Sequence, residues 1–385
     1  MSTLILSDLH LGMASGRDLL RRAGIRAALR EHLDGVERLV LLGDAVELRH
    51  GPLTVALAAA RPFFEELGAA LGDAEVVLVP GNHDHRLLAA WHERRRARAG
   101  GALALEQRIL PREDEPAGTL AAWLQSARLT LAYPGLWLRP DVYAMHGHYL
   151  DRHVTLPTLE RLAIGGMGWF AGRLPQPARP DDYEAALAPL YAWLHEVAQR
   201  SASSRRRATG EPSLWRRLGP GRGDRPPRLG MFGAALPLVI AALNRLGLGP
   251  LTPDVAVGDL EVAGLRAMCE TCERLGLDAR FVIFGHMHRA GPRPEDGAAA
   301  WTAPTGARLV NTGSWIHEPA LVAGQPPGSA YWPGTGVRLD AAGPPQIVRM
   351  LDHLSAAELP APAPPLERAP PAVRRPRGRA VRSRV

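Results

Sequence analysis

Five short clusters of donor side chains recur along the chain: Asp8-Leu9-His10, Gly43-Asp44, Gly81-Asn82-His83-Asp84, His146-Gly147-His148 and Gly285-His286-Met287-His288. Imidazoles, carboxylates and one carboxamide are hard-to-borderline ligands. They suit manganese, iron, zinc or cobalt better than ions that prefer thiolates. The same groups also accept and donate protons, so the clusters could serve general acid–base chemistry beside a metal. A single Asp-x-His or Gly-Asp pair carries little information. Five such clusters in this order, each placed at the end of a strand-like run, carry much more.

Those runs are Thr3–Ser7, Arg38–Leu42, Glu75–Val79, Val142–Met145 and Arg280–Phe284, and a sixth, Arg308–Val310, leads into Asn311–Trp315. Short continuous apolar runs predict strands buried on both faces. Helical patterns over Arg17–Leu33, Thr54–Leu71 and Leu260–Leu275 lie between them. The alternation predicts an α/β fold, a layered αββα sandwich with sites at the carboxyl ends of its strands. The rhythm stops between residues 155 and 254, which predicts an inserted, mainly helical cap with one helix at Asp182–Gln199. The catalytic domain is therefore expected in two pieces, 1–154 and 255–350. A Pro- and Arg-rich tail, 351–385, is expected to be disordered.

The chain has 385 residues and a formal net charge of +7, with every one of its 46 basic residues an arginine. The excess is local: Ser201–Gly230 holds eight Arg against one Asp and one Glu, and Ala361–Val385 holds seven Arg against one Glu. The remainder is mildly acidic, which argues against a nucleic-acid-binding core. Two cysteines, Cys269 and Cys272, exclude a disulfide scaffold and, without a second pair, a zinc ribbon; they suit a cytoplasmic protein. The longest apolar stretch, Leu229–Leu243, is too short for a bilayer span.

In order and spelling the clusters resemble the calcineurin-like metallophosphoesterase superfamily, from residue 1 to about 151 and from about 259 to 315. The resemblance implies one metal held by Asp8, His10, Asp44 and His288, and a second by Asp44, Asn82, His146 and His286, with Asp44 bridging. It implies two divalent ions, manganese favoured with iron, zinc or cobalt open, and attack on phosphorus by a metal-bridging hydroxide. Two cations about 3.5–4 Å apart need a shared anion, which is the physical reason for a bridging carboxylate. By the same resemblance His83 protonates the leaving group or stabilises the transition state, and Asp84 orients His83. Glu47, in Gly43-Asp44-Ala45-Val46-Glu47, is placed to receive a hydrogen bond from a ligand histidine. His85, Arg86, His148 and His153 are candidate substrate contacts, and Asn311–Trp315 is read as a structural turn.

A narrower resemblance, to the branch containing UDP-2,3-diacylglucosamine hydrolases, rests on Ser7-Asp8-Leu9-His10-Leu11-Gly12, Gly43-Asp44 followed by Glu47, and His146-Gly147 followed by Leu150-Asp151. Here the insertion is longer, and His148 stands where that branch carries Asp. It implies a phosphorylated small-molecule or lipid-linked substrate. The Arg-rich and apolar stretches of the cap would then reach an anionic membrane surface, giving a peripheral protein on the inner face. A nuclease or cyclic-nucleotide phosphodiesterase on the same core, and a non-catalytic scaffold, are the competing readings.

Overall fold

The computed structural model describes residues 2–49, 51–98, 101–153, 174–200 and 257–364. The glycine-rich, Arg-rich and apolar stretches of the expected cap, and the tail from 365, lie outside the described residues.

Three parallel strands, β1 (Thr3–Leu6), β2 (Arg38–Leu41) and β3 (Glu75–Leu78), form the centre of the first sheet. The second is built on β6 (Val142–Met145), β7 (Phe281–Phe284) and β9 (Arg308–Thr312), also parallel. These six strands coincide with the six apolar runs. Between the sheets runs β5 (Arg128–Arg139), twelve residues long. Its first part pairs parallel with β3, and its last part pairs antiparallel with β6, so one strand belongs to both sheets. Short β4 (Glu106–Ile109) pairs with the middle of β5, and β8 (Ala290–Gly291) pairs with β9. Antiparallel β10 (Thr335–Leu339) and β11 (Gln346–Arg349) extend the first sheet beyond β1.

Alternation along each strand divides the apolar side chains between layers. Ile5, Val40, Val77, Val142, Ile283 and Val310 point into the space between the sheets. Leu4, Leu6, Leu39 and Leu41 point the other way, against α1 (Ala23–Arg30), α2 (Leu53–Leu71) and α4 (Pro116–Trp123). Met145, Val282, Phe284 and Leu309 face α5 (Pro180–Arg200) and α6 (Val257–Arg274) on the opposite side. The result is the expected αββα layering. The remaining helix of note, α3 (Ala89–Ala97), follows a 3-10 turn at His85–Leu88.

Two boundaries differ from the sequence reading. Helix α5 falls within the segment expected as an inserted cap, yet its Tyr183, Ala186, Leu187 and Tyr191 are part of the core with Tyr143, Tyr149 and Met268. The tail also begins later than residue 351. Leu351 and Leu359 are buried, Ala361 O accepts from the Arg22 guanidinium, and Ala363 N donates to Gly16 O at 2.6 Å. Apolar residues at these two positions, among Pro and Ala, are enough to hold the segment down. Cys269 and Cys272 lie on α6 as free thiols, both raised by burial, which accords with a packing role. Among the described residues no helix is long and apolar enough to cross a membrane.

Helix α2 buries Ala56, Ala60, Phe63, Phe64, Leu67 and Leu71 at helical spacing, and Gly68 lies where α4 ends. A Cβ at Gly68 would sit 2.3 Å from the carbonyl oxygen of Leu124. Replacing an unhindered helical Gly by Ala gains up to about 1 kcal/mol. Overpacking against backbone costs about 1–3 kcal/mol. Gly68→Ala is therefore expected to destabilise the chain by up to about 2 kcal/mol in urea unfolding, the difference of those two effects. A stabilised variant would refute the tight α2–α4 contact.

Candidate metal centre

The clusters sit on loops at the carboxyl ends of β1, β2, β3, β6 and β7. Adjacent loops are tied together by backbone bonds that continue the sheet pattern past the strands: Asp8 N to Gly43 O at 3.1 Å, His10 N to Asp44 O at 2.7 Å, and Gly285 N to His146 O at 2.9 Å. Five of the residues adopt positive φ: Asp8 at 54°, His10 at 46°, Asp44 at 52°, His286 at 67° and His288 at 55°. For residues with a Cβ this conformation costs on the order of 1–3 kcal/mol each and persists only where packing dictates it. Two motif glycines are demanded by close approach. A Cβ on Gly43 would fall 2.2 Å from His146 Nδ1, and one on Gly285 would fall 2.5 Å from Asp8 Oδ2.

The loops bring the donors into two groups, Asp8 with His10 and His288, and Asp44 with His146 and His286. His10 Nε2 lies 3.3 Å from His288 Nε2 and 3.6 Å from Asp44 Oδ2, and His288 Nε2 lies 3.1 Å from Asp8 Oδ1. In the second group Asp44 Oδ2 is 3.3 Å from His146 Nε2. Asp44 thus touches both groups. Asn82 Oδ1 is 3.2 Å from His146 Nε2, and the same amide position is 3.2 Å from both His286 Nδ1 and Asp44 Oδ2. With the oxygen inward, several acceptor atoms face one point; with the amide turned over, its nitrogen would donate to them and its oxygen would accept from Arg49. Asp8 Oδ1 is fully buried and faces His288 Nε2. Converging donor atoms, buried carboxylates among them, and an N/O donor set fit divalent cations. His288, with its side chain 36% exposed against 0–2% for Asp8, His10 and Asp44, marks the side open to solvent.

Charge is balanced inside the cluster. Burial works against ionising Asp8, but the charge and hydrogen bond of His288 bring it down to about 2. Burial likewise opposes ionisation of Asp44, and His146, His83 and His10 outweigh it and hold it well below the usual carboxylate range. Burial also opposes a charge on His10, yet its bond to Glu47 and the Asp44 charge raise it to about 9. His146 rises to about 10 against its burial, through Asp44. Without a metal the imidazoles supply the positive charge that the carboxylates require.

Around the donors stand groups that orient them. His10 Nδ1 and His83 Nδ1 both reach Glu47 Oε2, at 3.1 and 2.7 Å. His146 Nδ1 reaches Leu42 O at 2.9 Å, and His286 Nε2 reaches Asp151 Oδ1 at 2.8 Å. Such partners fix the ring and the tautomer of a ligand histidine. Asn311 Nδ2 donates to Gly285 O at 2.7 Å, which holds the last loop.

Asp84 differs from the expectation. It does not touch His83; its carboxylate accepts backbone bonds from Asp44 N at 3.3 Å, Ala45 N at 2.8 Å and Gly81 N at 2.6 Å. Asp84 braces two site loops, and Glu47 is the carboxylate on His83. A carboxylate next in sequence to His83 cannot turn back onto its ring while its oxygens are occupied by amides three residues and a strand away. Burial brings His83 down to about 4 despite Glu47 and Asp44.

Of the expected substrate contacts, His148 is fully buried and stacks on Tyr133, with ring centroids 6.2 Å apart. His85 Nε2 meets Glu184 Oε2 at 3.2 Å, and His153 Nε2 meets Tyr183 OH at 2.7 Å. Arg86 is exposed. These three histidines face helix α5 more than the open side of the cluster. Arg49, missed in the sequence, is buried with Nη1 3.5 Å from His83 Nε2. Its position two residues after Glu47 was the available signal. Glu184, ninety-nine residues from His85, offered none.

Asp84→Asn loses one acceptor oxygen of the brace and is expected to lower stability by about 1–3 kcal/mol. It should also weaken metal affinity, read by chelator competition. Wild-type stability together with wild-type affinity would show that the brace is dispensable.

Comparison with known proteins adds a family. Residues 1–220 match the family model for calcineurin-like phosphoesterase. No curated protein sequence matches the chain. Among solved structures, a dimetal phosphatase from Danio rerio aligns with a TM-score of 0.33 and 13% identity, over 88% of this chain and 95% of that one. A likeness of that degree bears no weight here. The family match spans more than half of the chain and ends before His286 and His288, which the fold returns to the same cluster. The chain belongs to the calcineurin-like phosphoesterase family, and is a metal-dependent hydrolase of phosphoester bonds.

Proposed function

We propose that the enzyme uses a binuclear metal centre, with Asp8, His10, Asp44 and His288 holding one ion and Asp44, Asn82, His146 and His286 the other. The observation that carries this reading is Asp44, whose Oδ2 stands 3.6 Å from His10 Nε2 and 3.3 Å from His146 Nε2, between the two groups. When bound, the ions supply an acidified water and offset the charge that gathers on the phosphoryl oxygens. Glu47 holds His83 through Nδ1 and so fixes the ring with Nε2 beside Arg49 Nη1; the proton that a leaving oxygen receives would be a second one, taken up by Nε2 before it is passed on. Arg49, beside that nitrogen, places a fixed positive charge where a phosphoryl oxygen would lie. Asp84 and Asn311 hold the loops, and the buried flanks limit water to the face at His288.

The substrate class proposed is a small phosphorylated molecule, or one linked to a nucleotide or lipid, cleaved at a phosphoester or phosphoanhydride bond. Manganese is the ion proposed for the pair, since oxygen and imidazole donors in this number accept it readily. Contact with an anionic membrane would depend on residues of the insertion outside the described set.

Asp44→Asn is expected to leave the chain folded by circular dichroism and to reduce manganese-dependent hydrolysis of bis-nitrophenyl phosphate by at least about 10²-fold. Unchanged turnover would remove the shared-carboxylate centre. A metal-supplemented panel of phosphomonoesters, cyclic nucleotides, UDP-linked acyl sugars, lipid phosphates and DNA then ranks the substrate class. Preference for DNA or cyclic nucleotides would overturn the class proposed.

A further inference from the structure

A third convergence of donors lies beside the two groups and shares no residue with them. It joins His85 on the 3-10 turn after Asp84, His92 on α3, and Glu184 on helix α5. Glu184 Oε2 is 3.2 Å from His85 Nε2 and 3.9 Å from His92 Nε2, and one donor atom from each of the three residues lies within 4.8 Å of the others. The side chains are 10–13% exposed.

Two features distinguish this cluster from an ordinary buried ion pair. First, the carboxylate is fixed from behind. Tyr133 OH and Tyr149 OH both donate to Glu184 Oε1, the second at 2.8 Å, so Oε2 is left facing the two imidazoles. A ligating carboxylate is commonly held in this way by hydrogen bonds to its other oxygen. Second, His92 Nε2 is buried without a hydrogen-bond partner. At 3.9 Å it is beyond hydrogen-bond range of Glu184. A cation among the three atoms would satisfy that nitrogen, take the place of the proton between His85 Nε2 and Glu184 Oε2, and leave the tyrosine bonds to Oε1 intact.

We propose that His85, His92 and Glu184 form a third metal site, separate from the pair and suited to zinc. Two imidazoles and a carboxylate are a recognised zinc donor set, with a fourth position left for water. The site would tie α5 to the loop carrying Asn82 and His83, because His85 directly follows Asp84 in the chain. Three further contacts already bring α5 to the core: Asp181 accepts from Arg95 at 2.8 Å and from Leu103 N at 2.6 Å, and Tyr183 stacks on Tyr149 at 4.5 Å. The ion completes an attachment whose other contacts are in place.

The full-length protein, stripped by chelator, loaded with zinc and freed of excess by gel filtration, should retain about one more zinc per chain than His92→Ala or Glu184→Gln. Glu184→Gln keeps an acceptor for the tyrosines and decides the matter alone should His92→Ala fail to fold. A second measurement separates this site from the pair. In the Asp44→Asn background, zinc should still raise the thermal midpoint, and adding His92→Ala should remove that rise. Equal zinc content in wild type and Glu184→Gln, or a zinc-dependent rise in Asp44→Asn that is indifferent to His92→Ala, would overturn the site and leave a hydrogen-bonded His85–Glu184 pair in its place.

Discussion

The architecture answers to one constraint: acceptor atoms must face one another, buried, with few protons between them. Asp44, His10, His146 and Asn82 are brought to within 3.2–3.6 Å through Asp44 Oδ2. In an interior of low effective dielectric such a gathering repels itself unless positive charge is shared among its members. In the chain alone the imidazoles carry that charge, which is why His10 and His146 rise while Asp8 and Asp44 fall. A divalent cation performs the same service with fewer protons and stronger bonds, so the cluster is a binding site by its electrostatics before any reaction is considered.

The same constraint accounts for the backbone. Asp8 and His10 serve one group of donors, whereas His286 and His288, also two residues apart, serve different groups, so each loop must set the direction of its side chains individually. The left-handed conformations at these positions set those directions. Their cost, on the order of 1–3 kcal/mol each, must be offset elsewhere. The two sheets behind them do so. The strands end in residues that are almost wholly buried, and the cross-loop amide bonds prevent any one turn from relaxing without disturbing its neighbour. The inter-sheet layer of Ile5, Val40, Val77, Ile283 and Val310 thus acts on the site directly: it fixes the strand ends from which every strained turn departs.

Most of this was legible in the sequence where the pattern was both local and dense. The six apolar runs are strands because four consecutive buried residues leave few alternatives, and the clusters could be placed at their ends for the same reason. Five strands were not foreseen, the two-residue β8 among them. The long β5, Arg128–Arg139, contains Pro134 and Gly135 and changes partner midway, so no single period describes it. Strands β4, β10 and β11 mix polar and apolar residues at sheet margins, where pairing outweighs burial. Among site residues, Glu47 was visible because it lies in the same loop as Asp44. Asp84 was misassigned because proximity in sequence to His83 suggested a contact that the loop geometry gives to Glu47. Glu184 could not be read at all, since only the fold brings α5 to Tyr133 and His85.

Glu184 also accounts for the place of His148. The Tyr133 hydroxyl has one proton, and it is given to Glu184 Oε1. His148 Nε2 lies 3.3 Å from the oxygen of that hydroxyl and can donate to it, completing a donor–acceptor chain from imidazole to phenol to carboxylate. A carboxylate at position 148 would be an acceptor only. It would compete for the same proton and place a second negative charge near Glu184 in a site with no exposure. Burial and the neighbouring His146 push His148 well below its ordinary pKa, so it stands there neutral, as that chain of bonds requires. His148 and the carboxylate on α5 are therefore parts of one chain of bonds, which the motif alone does not show.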